Sequence, residues 1–256
     1  MTEEPYRWVE AISNRREYIQ HQLAGGSPIV ALSYRDGVLF LTLSRERQKI
    51  FEIYDRIAMG AIGHPGDIER LRMAAIEVAS TEGFTRSTQD VSLRRLATFS
   101  LSPALKAAFE QIYGPPYLAR MLFAELGREG EANLFVRLDF DGTMHTSGGR
   151  NLKSFEEYGV VAGTTAQAAA MEKRLAGGGD HSQKELCNAL KAALDAWIVG
   201  HLSHEDGEAP SEEAIAEAKT TQLRDAMIEA AVLERGAPQA AAYRPLRPEE
   251  LDGIAD

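Results

Sequence analysis

The spacing of apolar positions changes several times along the chain. Over residues 5–23 it is helical: Trp8, Ile12, Ile19 and Leu23 fall near one face, with Val9 beside them. Pro5 suits a first turn, and Gly25-Gly26 suits an end. Short apolar runs rich in β-branched residues follow at 29–34, 38–43, 49–53 and 57–62. Asp36-Gly37 between the first two is a hairpin signal, because both residues tolerate positive φ. Gly63-His64-Pro65-Gly66 ends the fourth run.

Helical spacing returns over residues 66–83, with Ile68, Leu71, Ala75 and Val78 as the inward stripe. Asp90 can cap a second helix carrying Leu93, Leu96, Leu101, Leu105 and Ile112, with a kink or break near Ser102 because of Pro103. Strands are predicted at 117–126 and 133–140, the latter followed by a second hairpin signal, Asp141-Gly142, and at 157–162. Helices are predicted at 166–175 and 183–200, the second opened by a capping box of Ser182 and Glu185. The acidic stretch 202–220 reads as a surface insertion, partly helical from Ser211. Strands at 227–233 and 240–243 and a short helix at 248–254 complete the chain.

Strands and helices thus come in blocks rather than alternating, which argues against a doubly wound parallel sheet. The pattern predicts an α+β fold: two antiparallel sheets stacked face to face with helices on both outer faces, a four-layer αββα sandwich preceded by an extra N-terminal helix. A second strand that is apolar throughout is expected where both sheet faces are buried. All 256 residues read as a single domain, with 1–26 the N-terminal segment and helix, and 27–201 and 221–256 the sandwich.

Composition narrows the function. A formal net charge of -10 disfavours nucleic acid, which requires a basic face. No apolar run reaches the roughly 18–20 residues that span a bilayer, and the N-terminal residues lack a signal-peptide core, so no membrane partner is expected. One cysteine, Cys187, forms no internal disulfide and fits a reducing cytoplasm; beside the helix stripe it reads as a packed core thiol. His201 and His204 with Glu205 and Asp206 are weak as a metal cluster and read better as helix-end residues, so no metal or other cofactor is expected. Gly177-Gly178-Gly179-Asp180 has no preceding strand and no following Lys-Ser/Thr, which excludes a P-loop and leaves a connector.

Four blocks, SPIVALSYRDGVLF, QKIFEIYDRI, YGVVAGTT and IEAAVLERG, in this order and spacing over nearly the whole chain, resemble the proteasome core-subunit family of the N-terminal-nucleophile hydrolases. The likeness is greatest to its α subunits, of the kind found in actinobacteria. In the catalytic β subunits of that family, cleavage after a glycine frees an N-terminal threonine whose own amine acts as base, with a lysine and an aspartate in support. The resemblance puts Ser27 at the nucleophile position after Gly26, Lys49 at the lysine and Leu43 at the aspartate. The missing carboxylate, Pro28 directly after Ser27, and the organised helix upstream imply a subunit with no catalytic residue of its own, a structural part of a threonine-type endopeptidase complex.

The α resemblance implies further roles. Lys49, with a backbone amide near Gly63, is expected to receive the C-terminal carboxylate of an AAA+ ATPase activator. Met1, Thr2, Glu3 and Glu4 would form the gate, and Tyr113, Gly114, Pro115 and Pro116 the pore loop below it. Pro115 replaces the usual basic residue, which stiffens the turn and removes a charge. Implied partners are other copies in a homo-heptameric ring, proteasome β subunits, the activator and unfolded protein substrates in ATP-linked protein degradation. Two alternatives stay open: a self-processed Ser27 peptidase of the same fold, and a ring-forming scaffold without a proteolytic partner.

Overall fold

The structure, a computed structural model, describes residues 4–44, 47–111, 113–148, 157–203, 209–236, 242–251 and 254, with backbone alone at 4–6, 148 and 225. Helix α1 (Glu4–Leu23) leads into strands β1 (Ile29–Tyr34), β2 (Gly37–Ser44), β3 (Ile50–Tyr54) and β4 (Ile57–Gly63). Helices α2 (Pro65–Thr85), α3 (Leu93–Leu96) and α4 (Ser102–Glu110) follow, then β5 (Ala119–Glu125), β6 (Leu134–Leu138), β7 (Met144–Gly148) and β8 (Tyr158–Val161). Helices α5 (Thr165–Ala176), α6 (Leu186–Leu202) and α7 (Glu212–Asp225) precede β9 (Met227–Glu234) and β10 (Tyr243–Pro245).

The strands form two five-stranded antiparallel sheets, ordered β10-β9-β2-β1-β8 and β3-β4-β5-β6-β7. Alternate residues of β1 and β2 feed different cores. Ile29, Ala31, Val38 and Phe40 point between the sheets, against Leu122 and Phe135. Val30, Leu32, Leu39 and Leu41 point outward, against Leu194 and Trp197 of α6. On the far side, Met59, Met121 and Phe123 meet Leu71, Ala75 and Leu96 of the α2–α4 layer. Both central strands are therefore buried on both faces, as their unbroken apolar runs predict. The arrangement is the expected α+β sandwich.

Several local readings are corrected. The first hairpin turns through Arg35-Asp36 without positive φ; Gly37 is already in β2, where a Cβ would lie 1.9 Å from the Leu233 carbonyl oxygen of β9. Close strand approach, not turn conformation, explains that glycine. Ser92, not Asp90, caps the second helical region by accepting from the Arg95 N–H, and Asp90 sits in a preceding 3₁₀ turn. The break lies upstream of Pro103, as a π-turn over Ala97–Leu101, and Pro103 occupies the first turn of α4, where its missing N–H is harmless. Strand β7 was not foreseen; MHTSG carries too little apolar pattern to signal it.

Ser182 and Glu185 form no capping box. Ser182 bonds to Asp180, Glu185 pairs with Arg35, and α6 begins at Leu186. A capping box does open α5, formed by Thr164 with Gln167. Cys187 is exposed on α6, pointing away from the buried Ala189 and Leu190. Within the stretch read as an insertion, Ser211 caps α7, whose buried Ile215 packs with the α6 core, so three helices cover the first sheet. Among the described residues the last strand is Tyr243–Pro245 and the end helix a 3₁₀ turn, Pro248–Glu250; residues 240–241 and 252–253 of those expected elements lie outside the described residues.

Helix α1 lies across the end of the sandwich at which β1 starts and β4 ends. Ile19 and Leu23 are fully buried with Phe109 and Phe140, while Trp8 and Val9, expected on the same stripe, are exposed. Arg16 pairs with Asp141 at 2.7 Å and stacks over both phenyl rings. Arg15 donates to the carbonyls of Ala108 (3.0 Å) and Gly114 (2.8 Å). Behind the helix, buried Arg120 of β5 ties the sheets together: it bonds Asp139 at 2.9 Å and donates to the carbonyls of Ala162 and Gly163 beyond β8.

Gly163 packs so closely beneath the end of α1 that a Cβ would lie 2.3 Å from the Ala24 carbonyl oxygen. Gly163→Ala should lift the α1–β1 junction and cost about 1–3 kcal/mol. Urea unfolding and faster proteolysis within residues 24–26 would register the loss; unchanged values would mean the junction yields freely.

Candidate functional site

An open cleft of about 1080 Å³ lies where α1 ends, β1 and β3 begin, and β2 and β4 finish. Its walls include Gly26, Ser27, Lys49, Gly63, Trp197 and His201. The sequence reading pairs Lys49 with Ser27 as a would-be catalytic pair and with Gly63 as a docking pocket; all three residues line this cleft.

The start of β1 is held from three directions. The Pro28 carbonyl accepts from Thr42 Oγ1 at 2.6 Å and from Trp197 Nε1 at 2.8 Å. The Ser27 hydroxyl donates to the Leu43 carbonyl at 2.7 Å. The Ser27 carbonyl accepts from Lys49 Nζ at 3.4 Å. The lysine thus reaches the main chain of residue 27, while the hydroxyl is committed to the neighbouring strand. Leu43 is buried on the outer face of its sheet, packed into the helix-covered core. It supplies a carbonyl to Ser27 and offers no carboxylate.

A carboxylate does approach Lys49, from a different strand. Glu229 of β9, cross-strand from Thr42, accepts from the Lys49 N–H at 2.9 and 3.0 Å and from the Ile50 N–H at 2.8 Å. Burial holds the Lys49 ammonium below the ordinary lysine range, and Glu229 partly offsets this. Burial pushes Glu229 above the ordinary carboxylate range, opposed by those two backbone N–H groups and by Lys49. Sequence reasoning does not single out Glu229. The available signal was its phase: Glu229, Ala231 and Leu233 alternate onto the inner face, where a carboxylate is costly unless bonded.

Gly63, at the end of the strand neighbouring Lys49, also lines the cleft, with φ of 128°, a conformation that suits glycine. His201 stacks on Trp197 with centroids 5.0 Å apart and planes 11° from parallel, and meets Gln222 of α7 at 3.2 Å. His204, Glu205 and Asp206 lie outside the described residues, and no group suited to a metal occurs among the described ones. Residues 177–179 connect α5 to the turn before α6, and Lys184 Nζ donates to the Gly178 carbonyl.

The remaining expected site residues lie elsewhere. Tyr113 is fully exposed, and Gly114 is fixed by Arg15 of α1, so the loop Tyr113, Gly114, Pro115, Pro116 is tied to the helix rather than to the cleft. Met1, Thr2 and Glu3 lie outside the described residues; Glu4 opens α1. No helix among the described residues is long and apolar enough to cross a membrane.

Comparison with known proteins agrees with this architecture. The proteasome subunit family matches residues 23–206. A protein of Nocardioides sp. named proteasome subunit alpha is 30% identical over 257 residues, covering 96% of this chain and 95% of its own. Its namesake from Streptomyces griseus is 30% identical over 96% of this chain and 82% of its own length. One from Thermomonospora curvata is 31% identical, over 77% and 79%. With two stacked antiparallel sheets, their helical layers and this match across most of its length, the chain belongs to the proteasome subunit family.

Proposed function

We propose that the chain is a non-catalytic α subunit of a bacterial-type core proteasome, forming an outer heptameric ring that templates the β ring, gates substrate entry and docks an ATPase activator. The observation that carries this reading is the integration of α1. A discarded propeptide needs no buried stripe, two arginine clamps or a fitted glycine beneath its end. Burial of Ile19 and Leu23 alone is worth about 1.5–3 kcal/mol each, stability that cleavage at Gly26–Ser27 would put at risk. The α-subunit names of the relatives point the same way.

The cleft supports the docking role. Lys49 presents a half-buried ammonium that makes a long bond, 3.4 Å, to the Ser27 carbonyl. A chain-end carboxylate can supply a shorter, charge-assisted partner. Gly63, at the end of the neighbouring strand, lines the same cleft. The loop 113–116, anchored to α1, is the proposed narrow ring beneath the gate residues Met1 to Glu4.

Native mass spectrometry of the chain, alone and with its candidate β partner, is the first test. A full-length subunit in a seven-membered ring that recruits β is expected; a chain beginning at Ser27 would identify a self-processed peptidase instead, and a ring that recruits no β would favour the scaffold. Within the assembled particle, Lys49→Ala should abolish ATPase-stimulated degradation and leave ring assembly intact. Undiminished stimulation would remove the docking assignment.

A further inference from the structure

Glu229 uses both carboxylate oxygens on the main chain of Lys49 and Ile50 at the point where β3 starts. The bonds cross between sheets, since β9 belongs to one and β3 to the other. No other side chain among the described residues is seen to hold the Lys49 backbone. The Lys49 side chain leaves this clamped backbone and enters the cleft. The geometry points to Glu229 as a positioning residue of the Lys49 site: it fixes the backbone from which the lysine side chain enters the cleft and supplies negative charge near the ammonium that receives a carboxylate ligand. This rests on the docking reading proposed above.

The arrangement separates two tasks that one carboxylate could perform. A carboxylate bonded directly to Nζ would occupy the place that a ligand carboxylate needs. Glu229 instead spends its hydrogen bonds on backbone N–H groups and acts on the ammonium through space, which leaves the head of the side chain available to a second anion. Burial lowers the proton affinity of Lys49, and Glu229 works against that.

Other ionisable groups surround the pair. Arg47 precedes β3, Glu69 approaches from α2 and His201 from α6. Tyr243 of β10 donates to the Ile50 carbonyl, and burial, together with Glu229 and Glu52, pushes its phenol up to about 12. Glu69 is held low by Arg72 and stays ionised through neutral and alkaline pH. A loss of carboxylate binding on the alkaline side therefore belongs to Lys49 or Tyr243, and an arginine at position 49 separates them, because guanidinium does not titrate there.

The test is fluorescence anisotropy on the full chain in its purified assembly, from pH 6 to pH 11, with a short extended peptide bearing a free C-terminal carboxylate and the same peptide amidated. The wild type should prefer the free carboxylate and lose that preference on the alkaline side. Glu229→Gln retains one backbone acceptor but no charge, so the alkaline midpoint should fall by about one pH unit with neutral-pH affinity reduced only a few-fold. Adding Lys49→Arg to Glu229→Gln should restore the alkaline preference. Glu229→Ala, which frees both N–H groups, should weaken binding at every pH. An unmoved midpoint in Glu229→Gln, or no restoration by arginine, would overturn the role of Glu229 while leaving docking in place. A wild type that does not distinguish carboxylate from amide would overturn the docking reading itself, and this inference with it.

Discussion

The carbonyl oxygen of Pro28 accepts two hydrogen bonds, one from each side of its sheet. Thr42 donates from the inner face of β2, and Trp197 donates from the helical layer outside. An uncharged buried carbonyl has two lone pairs, and both are used. The first residue pair of β1 is thereby fixed with respect to an adjacent strand and to the largest side chain of the outer core. Everything that meets at this end of the sandwich inherits that position: the Ser27 hydroxyl on the Leu43 carbonyl, the Lys49 ammonium on the Ser27 carbonyl, and the turn through Gly25-Gly26 into α1. Trp197 also stacks on His201, so the same indole carries the α6 wall of the cleft.

At the opposite end of the strands, a second buried polar group plays a matching part. Asn133 accepts from the Gly127 N–H and from Arg235, and donates to the fully buried Ser33 of β1. Polar groups buried between sheets are costly unless satisfied, and a satisfied network fixes register more tightly than apolar contact does. The inter-sheet core between these ends, made of Ile29, Ala31, Phe40, Leu122 and Phe135, is apolar and interchangeable by comparison. Precision thus sits at the ends of β1, and bulk stabilisation in the middle.

The sheets were legible in the sequence because their signal is strong and local. β1 and β4 each begin at the predicted residue, and β2 and β3 fall within a residue of it, since unbroken apolar runs between turn residues leave little choice of register. What failed has identifiable physical causes. MHTSG of β7 owes its strand state to pairing with β6 and not to its own residues. Asp90 and Ser182 are sound capping residues placed in turns just before the helices they were expected to cap, and Glu185 sits at the N-cap of α6 without bonding it. Gly37 was assigned to a turn, but its constraint is the β9 backbone, which arrives from the far end of the chain. Of the site, Ser27, Lys49 and Gly63 were placed by resemblance, whereas the partner of Lys49 was missed because that carboxylate lies 180 residues away in sequence.

The change of carboxylate partner is the clearest chemical difference within this cleft. In the catalytic arrangement implied by the family resemblance, an aspartate supports the lysine, and the lysine lowers the proton affinity of the nucleophile's amine. Here residue 43 is a leucine turned into the outer core, and negative charge comes from Glu229 on β9 through the backbone of β3. Charge near the lysine is kept, but its geometry is different. An acid that grips main chain cannot relay a proton toward residue 27, and a serine hydroxyl already donated to a carbonyl is not poised to attack. The lysine's backbone is gripped by Glu229 while its head makes a 3.4 Å bond to the Ser27 carbonyl, a geometry in which the ammonium can still meet an anion. In this cleft, then, the carboxylate that grips the lysine's backbone comes from the ninth strand, while position 43 on the second strand carries none.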